Sequence, residues 1–141
     1  MILLDTPVVS ALMDREPDRR LLDWFARNPA ARLHISTVTE AELLAAAAGL
    51  PDGLRQRTVA QIDAMVAEDF AGRVLPFDSA AARDLAVILA RAARAGQTLP
   101  MVAAQNAAIA RANGARLATL SPTPFAGMGV DLVVPLDQEP R

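Results

Sequence analysis

Short apolar runs alternate along this chain with longer segments whose apolar residues recur at helical spacing. Ile2-Leu3-Leu4 is the first run, and its continuous apolar character predicts a buried strand. Leu33-His34-Ile35-Ser36, Arg73 to Phe77, Arg116 to Thr119 and Val130 to Val134 predict the strands that follow. Between them the pattern predicts helices. Thr6 is placed to cap the first, with Pro7 at the opening position where no backbone N–H is needed. A second helix follows Glu16-Pro17-Asp18 and carries Leu21, Leu22, Trp24 and Phe25. Thr39-Glu40-Ala41-Glu42 matches a capping box ahead of an alanine-rich helix that ends near Gly49. After a turn at Pro51-Asp52-Gly53, Val59, Ile62, Val66 and Phe70 mark a long helix. Asp78 caps the next, with Leu85, Ile88, Leu89 and Ala92 on one face and Gly96 beyond its end. Pro100 opens the last, with Met101, Ala104, Ala108 and Ala112 on one face and Gly114 closing it.

Strands alternating with helices imply an α/β fold, a mostly parallel sheet covered by helices on both faces. The 141 residues suit one domain, and 52% hydrophobic against 21% charged residues suits a globular one. The tail from Pro135 to Arg141 reads as loose, so the domain is expected over 1–135 and a flexible tail over 136–141. No apolar run is long enough to span a membrane and no secretory signal is visible, so a cytoplasmic protein without a membrane partner is expected. The absence of cysteine removes disulfides and Cys-based zinc sites. A net charge of −2 argues against a strongly basic nucleic-acid binder, although local phosphate contacts remain open. Every basic side chain is Arg. That suits bidentate phosphate contact, and equally a GC-rich coding sequence, the plainer reading.

The candidate chemistry is carried by acids at element ends. A dinucleotide G-x-G-x-x-G, a P-loop and a G-x-S-x-G elbow are all missing from the sequence. His34, the single histidine, lies within a predicted strand and reads as packed or solvated. Asp5 follows the first strand, and Glu42 lies in the helix after the second. In a parallel sheet both emerge at the carboxyl edge, where α/β proteins place their sites. Two acids meeting there suit a hard divalent cation such as Mg²⁺. The capping box alone also accounts for Glu42, and a solvated strand end or a helix cap for Asp5.

The chain resembles the PIN-domain family, and within it the VapC- and FitB-like bacterial toxins. The resemblance runs through Met1-Ile2-Leu3-Leu4-Asp5-Thr6, Ile35-Ser36 with Thr39, Ala41-Glu42-Leu43-Leu44 and Leu75-Pro76-Phe77-Asp78. It continues through Gly96, Pro100-Met101, Ala107 to Ala110, Leu117-Ala118-Thr119, Phe125, Gly127 and Gly129-Val130. It implies a three-layer α/β/α sandwich around a central, mostly parallel five-stranded sheet. It implies Mg²⁺- or Mn²⁺-dependent endoribonuclease activity at a cluster of three or four acids, RNA as substrate, a homodimer, and neutralisation by a small antitoxin.

The sequence departs from that pattern at the acids. Asp5 fills the first position and Glu42 the second, as catalytic and metal-holding residues. The third acid falls at Ala103 and the fourth at Pro124, while Asp131 lies too far along the chain to replace it. Asn106, one turn after Ala103, offers an uncharged oxygen as a weak substitute ligand, and Ser121 and Thr123 offer hydroxyls beside Pro124. Arg91, Arg94 and Arg111 are candidates for phosphate contact or a solvated face, the latter preferred. Two readings follow. One is a toxin-type nuclease of weak activity. The other is a catalytically inactive PIN-domain protein that engages an antitoxin or a dimer partner.

Overall fold

Ile2 and Leu4 point to one side of the first strand and Leu3 to the other, and each joins a different apolar core. That alternation sets the three layers. A computed structural model describes residues 1–137; the rest of the expected tail lies outside the described residues. The chain runs β1 (Ile2–Leu4), α1 (Thr6–Leu12), α2 (Arg19–Arg27), β2 (Leu33–Ser36), α3 (Thr37–Ala48), α4 (Asp52–Ala64), β3 (Val74–Leu75), α5 (Ser79–Arg94), α6 (Met101–Ala112), β4 (Arg116–Ala118) and β5 (Leu132–Val133). The five strands form one sheet in the order β3-β2-β1-β4-β5, and every neighbouring pair is parallel. The α/β sandwich expected from the alternation is therefore present.

One face of the sheet carries large side chains: Val8 and Val9 of α1, Leu21 and Trp24 of α2, Leu43 of α3 and Ile62 of α4. The other carries α5 and α6, which pack more extensively on one another than any other pair of elements. Small residues allow that closeness: Ala81 from α5 and Ala104, Ala107, Ala108 and Ala110 from α6 are buried. The apolar stripe of α6 is thus wider than expected, while Met101, assigned to it, is exposed.

Several boundaries moved. Asp5, not Thr6, occupies the N-cap position of α1. Ser36 caps α3, accepting the Thr39 backbone N–H at 3.0 Å, so the expected capping box at Thr39 is not used. Asp52-Gly53 opens α4 instead of forming a turn. A π-helical turn, Met65–Asp69, extends α4 by one extra residue per turn and buries Phe70 while Val66 stays half-buried. The third and fifth strands are shorter than expected, because only two residues of each find ladder partners. Pro135–Asp137 forms a 3₁₀ turn with Pro135 buried and Leu136 against the core.

Candidate active site

Asp5, Ser36 and Thr119 each stand immediately at the carboxyl end of a neighbouring strand, β1, β2 and β4. The parallel register brings them together: Leu4 pairs with Ala118, and the Asp5 N–H donates to the Ala118 carbonyl at 2.9 Å. Asp5 is only 6% exposed. Although it sits at an N-cap, its side chain makes no capping hydrogen bond. It turns instead toward β4 and α6, where Asn106 Nδ2 donates to Oδ1 at 3.2 Å and Thr119 Oγ1 donates to Oδ2 at 3.3 Å.

Asn106 is the hub behind Asp5. Its Nδ2 also donates to Thr39 Oγ1 at 3.3 Å, and its Oδ1 accepts from Ser36 Oγ at 2.5 Å. The Thr39 and Thr6 hydroxyls lie 2.9 Å apart. Asp5, Thr6, Ser36, Thr39, Asn106 and Thr119 are the buried polar residues among those described, and all belong to this one network. Burying a polar group is tolerable only when it is partnered, which explains why they cluster. The sequence reading gave Asn106's oxygen to a cation; in the structure that oxygen faces Ser36, and the amide NH₂ faces Asp5.

Glu42 is the sixth residue of α3, beyond the first turn, so no capping role accounts for it. It lines the same cleft as Asp5, a space of about 210 Å³. Ala103, Pro124, Pro7, Pro100 and Phe125 complete much of the wall. The two positions at which the resemblance implies further acids thus border the cleft that holds Asp5 and Glu42. Burial pushes the Asp5 carboxyl above the usual range, against the opposing pull of Asn106, the Thr6 backbone N–H and Thr119. Burial also raises Glu42, helped by the charge of Asp5 and opposed by the Thr6 hydroxyl.

Other candidates lie elsewhere. Asp131 precedes β5 and lines a cavity at the amino edge of the sheet with Asp84, Arg111 and Arg116. Arg111 pairs with Asp84 at 3.3 Å and donates to the Met128 carbonyl at 2.9 Å. His34 accompanies the Arg32 carbonyl at 3.2 Å and does not border the cleft. Ser121 lines the cleft; Thr123 does not. The network residues Ser36, Thr39 and Thr119 were not singled out for the site by their sequence context. Their signals were a place in the segments that carry the resemblance and a hydroxyl at or near the end of a predicted strand.

The PIN domain family model matches residues 2–121. The chain belongs to the PIN-domain family. Among curated relatives, this PIN domain is 39% identical over 137 residues to the VapC ribonuclease Y4jK of Sinorhizobium fredii, covering 96% of this chain and 97% of that protein. It is 31% identical over 120 residues to the toxin FitB of Neisseria gonorrhoeae, with 84% and 86% covered. The crystal structure of FitAcB from Neisseria gonorrhoeae superposes with a TM-score of 0.89 at 28% identity, covering 98% of this chain and 100% of that one. This is therefore a toxin–antitoxin PIN-domain protein of the VapC-like ribonuclease family. No helix among the described residues is long and apolar enough to cross a membrane.

Proposed function

We propose that this PIN domain is an endoribonuclease of low activity that uses one weakly held divalent cation, Mg²⁺ or Mn²⁺. The reading rests on one observation: Asp5 and Glu42 border a single cleft, and the charge of one raises the pKa of the other. Among the described residues neither has an Arg within ion-pair distance. Two facing carboxylates without a cationic partner fit a divalent ion. Mg²⁺ is commonly held by one or two carboxylates together with waters and substrate phosphate. No group of three metal-ligating side chains is present among the described residues, so the set is sparse. Asp5 and Glu42 would hold the ion. When bound, it would supply a Lewis acid for the phosphodiester and lower the pKa of a water. Asn106 and Thr119 keep the Asp5 carboxylate in place. Ala103 and Pro124 contribute no charge, which lowers affinity and leaves the attacking water less well oriented.

The partners follow the relatives. A groove of about 440 Å³ lined by Leu12, Met13, Phe25, Met65 and Phe70 lies on the large-residue face. It suits an apolar antitoxin segment, in a cytoplasmic homodimer of the family kind. The apolar wall at Ala103 and Pro124 favours the second reading, an inactive PIN domain that only binds its partners. Incubating the full chain with structured RNA and Mn²⁺, beside Asp5→Asn, separates the two. Slow cleavage that disappears in the variant supports the nuclease. No metal-dependent cleavage at high protein concentration leaves the binding protein.

A further inference from the structure

This inference rests on the cleft being a cation site, and concerns what holds Asp5 there. The buried face of α6 is otherwise apolar, made of Ala104, Ala107, Ala108, Ile109 and Ala110. A carboxamide placed in such a face is costly unless its hydrogen-bonding capacity is used. Asn106 is fully buried and uses both ends: Nδ2 toward Asp5 and Thr39, Oδ1 toward Ser36. Rotating the amide by half a turn would set its oxygen against the Asp5 carboxylate, so the charge of Asp5 fixes its orientation. Thr119 holds the other carboxylate oxygen from β4. Asn106 and Thr119 thus reach the two oxygens of the Asp5 carboxylate from two different elements.

We propose that Asn106 is the positioning residue of this site. It holds Asp5 by Oδ1 so that the remaining lone pairs face the cleft, and it supplies from within α6 an ordering that Ala103 does not. Ser36 acts one step further back, by holding Asn106. Partners of metal ligands characteristically change metal affinity by 10- to 100-fold when lost.

The test is Mn²⁺ binding to the full chain by titration calorimetry and electron paramagnetic resonance, for the unaltered protein, Asn106→Leu and Ser36→Ala. Leu keeps the branching of Asn but is larger and has neither donor nor acceptor, so Ser36→Ala provides the second, smaller perturbation. Circular dichroism confirms the fold of each. The expected result is about a tenfold weaker Mn²⁺ Kd for Asn106→Leu and a smaller loss for Ser36→Ala. In RNA cleavage, kcat should fall with KM unchanged. A folded Asn106→Leu that binds Mn²⁺ like the unaltered chain overturns the positioning role and leaves the cation site standing. If Asn106→Leu does not fold, an unchanged Kd in Ser36→Ala overturns it. An unaltered chain that does not bind Mn²⁺ at millimolar concentration overturns both readings.

Discussion

The two edges of the parallel sheet treat charge in opposite ways. At the amino edge, Asp84 and Arg111 are each partly exposed, with side chains 28% and 21% accessible, and they pair at 3.3 Å. At the carboxyl edge, Asp5 is deeper, has no cationic partner among the described residues, and is surrounded by neutral donors. A paired acid near the surface ties α5 to α6. An unpaired acid facing a second acid works against folding, since burial and mutual repulsion both disfavour its charge. Perturbed carboxyls of this kind cluster at ligand sites, and the contrast is what supports the cation site proposed at the carboxyl edge.

Breaking the contrast at its centre should have the largest effect. Asp5→Asn keeps one acceptor for the surrounding donors but removes the charge; Mn²⁺ binding and any RNA cleavage should fall by more than the roughly 10- to 100-fold that loss of a ligand's outer partner costs. Calorimetry and a cleavage time course read this out. Sharpening the contrast comes next. Ala103→Asp with Pro124→Asp adds two acids to the cleft wall and should tighten Mn²⁺ binding by about tenfold or more, since tenfold needs only about 1.4 kcal/mol. Unchanged affinity would show that these positions do not face the ion.

The control lies at the other edge. Arg111→Ala removes the pair with Asp84 and the bond to the Met128 carbonyl, and should cost about 1–2 kcal/mol of stability while leaving Mn²⁺ affinity unchanged. Gly129 supports this: it has φ +69°, and a Cβ there would lie 2.8 Å from Arg111 Nη1, so the loop is shaped around that guanidinium. The smallest effect is a pH trend. Asp5 and Glu42 both titrate above their ordinary range in the folded chain. Between the ordinary and the raised values the folded state holds more protons than the unfolded one, so their contribution is greatest at the acid end and is lost as pH rises through the raised values. Melting curves across the weakly acidic range should show this slope, Asp5→Asn should flatten it, and Mn²⁺ should offset it at neutral pH.

The sheet, its helices and the meeting of Asp5 with Glu42 were legible because each depends on local periodicity and on the rule that parallel strands emerge together. The caps were less so. Thr39-x-x-Glu42 is a better local capping pattern than Ser36-x-x-Thr39, yet β2 ends at Ser36 and α3 starts at once, leaving Thr39 free to join the buried network. Asn106 was visible as a polar residue on α6 but not as the partner of Asp5. That contact spans 101 positions, and those to Ser36 and Thr39 span 70 and 67. No local pattern encodes which end of an amide faces which neighbour. The π-helical turn was hidden for a related reason: one extra residue disturbs a helical period no more than sequence scatter does.

The cleft wall at Ala103 carries a consequence for inheritance. Every alanine codon is one base away from an acidic codon, and the alanine methyl already borders the space where a carboxylate would sit. A carboxylate there would add a third negative charge beside Asp5 and Glu42, which a bound cation would offset. A single nucleotide change can therefore place a carboxylate on the wall of the cleft that holds Asp5 and Glu42.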